Sequence, residues 1–152
     1  MEKPILNEPK KDYNSPMHTA EHILNQTMVR MFGCERSQNA HIEKKKSKCD
    51  YNLSAAPTDE QVKEIERRVN EVIAQHHNVV EEFMHRQDAA EIVDLSKLPS
   101  DASDTLRVIH VGDYDSCACI GRHVQNTSEI GTFKILSHDY EDNRWRVRWR
   151  VI

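Results

Sequence analysis

The sequence predicts an α+β domain in which helices pack against a mainly antiparallel sheet, and three observations carry that expectation. Two segments repeat apolar residues at helical spacing, beginning at Met17 and at Val62. Several short runs alternate apolar and polar residues, the last being "RWRVRWRVI". The order of the elements, closing with two β-rich runs joined by a polar turn, implies helices packed against such a sheet. The chain has 152 residues, the size of one domain, and a chain of this length buries roughly 70% of its unfolded surface. Residues 1–16 hold Pro4, Pro9 and Pro16 and no sustained period, so they read as an arm or lead-in, with residues 17–152 as the single domain.

The elements follow in order. "MHTAEHILNQTMVRMFG" sets Ala20, Ile23, Leu24, Thr27, Met28 and Met31 on one helical face, with Ser15 as N-cap, Pro16 at the first helical position and Gly33 as terminator. Cys49, Tyr51 and Leu53 alternate as a strand face does, and Lys44–Lys46 mark an exposed strand or its turn. "TDEQ" from Thr58 to Gln61 is a capping box, followed on one face by Val62, Ile65, Val69, Val72, Ile73 and His76. "NVVEEFM" reads as a strand, "RQDAAEIV" as a short helix and "TLRVIHVG" as a strand. "GTFKILSH" and "RWRVRWRVI", joined by the polar "DYEDN", predict a C-terminal hairpin.

Charge and composition narrow the function. Hydrophobic residues make up 38% and charged residues 30%, with a net charge of −4, which argues against a globally basic nucleic-acid coat while leaving room for a local basic stripe. The N-terminus lacks the apolar stretch of a secretory signal and no long apolar run follows, so a cytoplasmic protein without membrane partners is expected. In that compartment Cys34, Cys49, Cys117 and Cys119 would be reduced thiols, free to act as ligands or small hydrophobes.

Chemistry enters with "HTAEH". His18 and His22 stand one helical turn apart and can present two nitrogens to one point. Two donors do not hold zinc, but "CACIGRH" supplies Cys119 and His123, again four apart, completing a set of N and S donors suited to Zn²⁺, with Cys117 as a substitute for Cys119. The other histidines share no such pattern. "HTAEH" also fits H-x-x-E-H, the inverted zincin pattern with Glu21 as base, which would make the chain a metallopeptidase. That alternative gives Cys119 and His123 no role and needs a further carboxylate ligand. A non-catalytic zinc- or RNA-binding module is the third reading. Arg144, Arg146, Arg148 and Arg150 fall on one face of their strand opposite Trp145, Val147, Trp149 and Val151. That face is either a stripe for phosphates or a set of partners for nearby acids. Lys44, Lys45, Lys46 and Lys48 form a second basic group, read first as a solvated face.

Taken together, "HTAEHIL" and "CIGRHVQNTSEIGTFKI", with "FGCERSQ", "CDYNLS" and "IERRVNEVI" in the same order between them, resemble the second additional domain of alanyl- and threonyl-tRNA synthetases. The resemblance covers roughly residues 15–152 and is to the free-standing alanyl-tRNA editing type within that family. It implies a class II synthetase editing-domain-like fold and hydrolysis of the ester linking a wrong amino acid to tRNA. The substrate it implies is Ser-tRNA(Ala) or, in the threonyl branch, Ser-tRNA(Thr), bound through acceptor stem and 3′ end. It assigns His18, His22, Cys119 and His123 as catalytic and metal residues, expects Zn²⁺ in the alanyl branch, and places Gln38 near the bound aminoacyl group. Glu21 stands where the alanyl domain often has threonine, Ile120 and Arg122 replace small residues of its C-G-G-T-H motif, and Ser128 replaces a glycine. These departures bear on which amino acid is accepted.

Overall fold

A computed structural model describes residues 14–93 and 104–152. Helix α1 spans Ser15–Phe32 and begins where Asn14 Oδ1 accepts the amide of Met17 at 3.2 Å. The cap is therefore Asn14, not Ser15, and Pro16 occupies the second helical position, where its missing N–H is still one that no helical carbonyl would accept. The expected boundary after residue 16 thus falls inside α1, and residues 1–13 of the expected lead-in lie outside the described part. Gly33 closes the helix with φ of 66°, its amide bonded to the Val29 carbonyl. This left-handed stop suits glycine because it has no Cβ.

Strands β1 (Asn39–His41) and β2 (Ser47–Asn52) flank the exposed lysine turn, and α2 covers Asp59–Ala74. The capping box forms as its residue types dictate, with Gln61 N donating to Thr58 Oγ1 at 3.2 Å and Thr58 N to Gln61 Oε1 at 2.8 Å. Ile65, Val69, Val72 and Ile73 are buried. His76 does not extend that face: the helix has ended, and His76 is exposed with φ of 54°. Strand β3 is Val79–His85, α3 is the four-residue Arg86–Ala89, β4 is Thr105–Val111 and β5 is Asp115–Ala118. Strands β6 (Phe133–Glu141) and β7 (Arg144–Val151) form the C-terminal hairpin. Its loop is shorter than the sequence implies, because only Asp142 and Asn143 turn, with φ of 51° and 62°. Two left-handed residues match the twist of the flanking strands, so the ladder continues through Tyr140 and Glu141.

Among the described residues every strand pairing is antiparallel, but the strands form two sheets, ordered β1-β2-β7-β6 and β3-β4-β5. The smaller sheet closes on sequence neighbours, whereas β7 inserts between β2 and β6 as the centre of the larger. Its alternation determines the packing: Trp145, Val147 and Trp149 are at most 1% exposed and meet the buried faces of α1 and α2 in one core, with Ile23, Leu24, Met28, Ile65, Val69 and Phe133. Strand β5 carried no strand signal of its own. It forms by pairing with β4, Ile109 opposite Cys117 and Val108 opposite Ala118, and this pairing brings the late Cys/His segment alongside α1. Among the described residues no helix is long and apolar enough to cross a membrane.

Candidate metal centre

His18 and His22 are buried on the inner face of α1, at 4% and 2% exposure. Where β5 ends, the chain turns so that Cys119 and His123 reach the same point. The ring of His123 stacks on His18 with centroids 4.2 Å apart and meets His22 edge-on at 4.4 Å. One donor atom from each of His18, His22, Cys119 and His123 lies within 4.8 Å of all the others. Cys119 Sγ is 3.3 Å from His18 Nε2 and 3.5 Å from His123 Nε2. A tetrahedral zinc with Zn–N near 2.05 Å and Zn–S near 2.3 Å has S···N edges of about 3.6 Å, so Cys119 stands near that spacing from His18 and His123.

The far sides of two imidazoles are hydrogen-bonded, and the third faces a carboxylate. His18 Nδ1 lies 3.0 Å from the Arg122 carbonyl oxygen, which can only accept, so the proton sits on Nδ1 and Nε2 keeps its lone pair for the centre. His123 Nδ1 meets Thr19 Oγ1 at 2.9 Å, and the same hydroxyl accepts the Val124 amide at 3.2 Å. His22 Nδ1 faces Asp115 Oδ2 at 3.6 Å, an ion-pair separation longer than a hydrogen bond. Asp115 is itself buried and fixed by Arg36 at 2.7 and 3.3 Å and by Gln26 at 3.0 Å. Holding Nδ1 so that Nε2 ligates is how metal-binding histidines are oriented.

Electrostatics favour the ligating forms of Cys119 and His123, whereas without a metal His22 is held toward its protonated form. Burial alone would raise the Cys119 thiol, but the imidazoles of His123, His18 and His22 around it bring it well below its ordinary value, toward thiolate. Burial and the neighbouring charge of His22 push His123 down to about 3, which keeps it neutral. For His22, burial works downward and is outweighed by Asp115 and the two sulfurs, leaving it raised. Asp115 is held down to about 2 despite its burial, by His22 and Arg36. Of the two cysteines left open by spacing, Cys119 belongs to the donor set, while Cys117 is half-buried on β5 with its thiol pushed up by burial.

The remaining expected residues are distributed around this centre. Glu21 is half-buried on α1 and its charge reaches Arg36, Cys49 and Tyr51. Gln38 is exposed, its amide donating to Glu35 Oε2 at 2.8 Å and to the Arg36 carbonyl at 3.2 Å. It borders a cavity shared with Asp50, Asp142 and Arg144, apart from the four donors. The arginine face of β7 is largely engaged by acids: Arg146 grips Asp50 through two bonds at 2.8 and 2.9 Å, Arg148 meets Asp139 at 2.9 Å, and Arg144 lies 3.9 Å from Glu141. Arg150 is exposed and makes no ion pair among the described residues. Sequence spacing missed Thr19, Arg36, Arg107 and Asp115. Nothing in their local pattern marks them, since each acquires its role only through contacts some 80–105 positions away along the chain or, for Arg107, across the β4–β5 ladder.

The fold and site together define a small α+β domain in which an HxxxH helix and a CxxxH segment meet in one buried donor cluster. Residues 106–148 match the family described as the threonyl and alanyl tRNA synthetase second additional domain. The alanine–tRNA ligase of Methanococcus maripaludis strain C7 is 36% identical over 122 residues, covering 78% of this chain. That of Fervidobacterium nodosum is 32% identical over 133 residues, covering 87% of this chain and 15% of the ligase. That of Bacillus pumilus is 34% identical over 121 residues, covering 79% of this chain. The chain belongs to this second-additional-domain family. It spans only 14% of the length of the Methanococcus ligase.

Proposed function

We propose that the chain is a trans-editing aminoacyl-tRNA deacylase that hydrolyses the ester of mischarged tRNA, Ser-tRNA(Ala) in the first place and Ser-tRNA(Thr) as the related substrate. The observation that carries this reading is the convergence of His18, His22, Cys119 and His123, with His18 and His123 hydrogen-bonded through Nδ1 and His22 facing Asp115. In this reading those four residues hold Zn²⁺. A zinc ion so held supplies Lewis acidity, either activating water or fixing the amine or hydroxyl of the aminoacyl group.

The residues of the chain supply the rest. An aminoacyl ester is already activated, so placing water at the carbonyl and stabilising the oxyanion carry most of the catalysis. Glu21, half-buried on α1 between the two histidines, is assigned to the aminoacyl group, and Gln38, which borders a cavity apart from the four donors, is assigned to it by resemblance alone. Selectivity rests on the serine hydroxyl. An apolar synthetase pocket rejects an added hydroxyl by only about a hundredfold, while a site built to bond that hydroxyl loses about 1–3 kcal/mol when it is missing. The tRNA acceptor stem and 3′ end are the partner, with Arg150 the most available cation of the β7 face for a phosphate and Arg144, Arg146 and Arg148 contributing beside it. The H-x-x-E-H peptidase reading gives Cys119 and His123 no role, whereas both stand in the donor cluster, so that reading is not adopted.

The test is direct. Purified protein is incubated with Ser-tRNA(Ala) and Ala-tRNA(Ala), with bound metal measured on the same sample. Release of serine well above buffer, with alanine retained, is expected. Serine release at the buffer rate from metal-replete protein overturns the assignment.

A further inference from the structure

We propose that Arg107 is a positioning residue for the metal centre, its guanidinium serving as the strut that shapes the backbone between Cys119 and His123. The inference rests on the metal reading of the four donors. It starts from where β5 stops. Strand β5 is regular to Ala118, whose partner on β4 is Val108. One more ladder bond forms, Cys119 N to Arg107 O at 3.0 Å, and the chain then leaves the sheet. From that point the carbonyls of the departing segment have no strand to accept from. A half-buried carbonyl left without a donor carries a desolvation cost, and it also leaves the loop free to choose its path.

Arg107 meets both needs with one side chain. Its Nη1 donates to the Cys119 carbonyl at 3.3 Å and to the Gly121 carbonyl at 2.5 Å, while its Nε is held by Glu81 Oε2 at 2.8 Å. Glu81 belongs to β3, on the far side of β4 from β5. The guanidinium therefore ties the ligand loop to both other strands of the small sheet. The rigid planar fork of arginine makes such simultaneous bonds, whereas an ammonium is a point donor on a flexible stem. Gly121 is buried and is followed directly by Arg122, whose carbonyl sets the tautomer of His18, and by His123. Fixing the carbonyls of Cys119 and Gly121 thus bears on three donors: Cys119, His123 and, through the Arg122 carbonyl, His18. The guanidinium bonds to Glu81 and to backbone carbonyls, not to the donor atoms, although it lines a cavity with His123. Its effect passes through backbone geometry, and outer partners of this kind are worth about 10–100-fold in metal affinity.

The experiment uses cobalt(II), whose visible spectrum reports tetrahedral thiolate ligation. Cobalt affinity by chelator competition and the visible spectrum are measured for the wild-type chain, Arg107→Ala, Arg107→Lys and Glu81→Gln, with metal-free melting curves recorded alongside. We expect Arg107→Ala to bind cobalt about 10–100-fold more weakly with altered bands, Arg107→Lys and Glu81→Gln to fall between, and millimolar guanidinium, but not methylammonium, to restore Arg107→Ala toward wild type. Wild-type affinity and spectrum in Arg107→Ala overturn the inference. If that variant does not fold, a wild-type result for Arg107→Lys overturns it equally. A wild-type chain that takes up no cobalt removes the metal reading instead, an outcome distinguishable from either.

Discussion

Replacing Asp115 by asparagine should weaken the fold and the metal centre together, by amounts the structure sets. Asp115 has no exposed side-chain surface, lies 2.7 Å from Arg36 and 3.6 Å from His22, and accepts from Gln26 at 3.0 Å. Asparagine keeps the shape and one acceptor but removes the charge. Lowering a carboxyl from 3.8 to about 2 reports preferential stabilisation of the carboxylate by about 2–3 kcal/mol, at 1.36 kcal/mol per pKa unit. Loss of a charge-assisted hydrogen bond gives a similar range, about 1.5–3 kcal/mol. Metal-stripped Asp115→Asn should therefore unfold in urea with about 2 kcal/mol less stability at neutral pH. Because His22 also loses the partner that orients its Nδ1, metal affinity by chelator competition should fall about 10–100-fold. The two measurements separate the roles, one made without metal and the other with it. Wild-type urea stability together with wild-type metal affinity would refute the reasoning that this carboxylate orients His22 and balances Arg36.

Three further outcomes follow from particular contacts. Thr58→Ala removes one half of the α2 capping box and should cost about 1 kcal/mol in urea unfolding, with no change in metal content. Asp50 is held below the usual carboxylate range, chiefly by hydrogen bonding from Arg146. Its contribution to stability is complete above about pH 4 and is lost as pH falls through the depressed folded value. Melting curves of Asp50→Asn should therefore be less stable than wild type near neutrality and converge on it in acid. If Arg150 contacts a phosphate, Arg150→Gln should reduce the slope of log affinity against log salt for an acceptor-stem hairpin by about 0.7–0.9, whereas Thr58→Ala should leave it unchanged.

Much of the architecture was legible because short-range physics wrote it. The period of α1, the capping box of α2, the glycine stop at Gly33 and the alternation of β7 each express a local preference that tertiary packing then reinforced. Where expectation and structure differ, the choice lay either between neighbouring residues or in a pairing with a distant strand. Asn14 rather than Ser15 capped α1 because its carboxamide oxygen reached the Met17 amide. The hairpin loop shrank to two residues because two left-handed conformations fit the strand twist. Strand β5 had no pattern of its own and exists through its register with β4. The β7 arginines were legible as a basic face, but only the neighbouring strands decided that Asp50 and Asp139 take up Arg146 and Arg148.

The four donors could be named from spacing and resemblance, because residues one helical turn apart share a face whatever the fold around them. Their meeting could not be so derived. The segment bearing Cys119 and His123 reaches α1 only because β5 pairs with β4, and its approach depends on long-range bonds: Arg36 to Asp115, Thr19 to His123, His18 to the Arg122 carbonyl. Sequence thus determined which atoms are available to bind. Tertiary structure alone decided their mutual distances, their protonation and the partners behind them, since burial and orientation arise from neighbours about a hundred residues away.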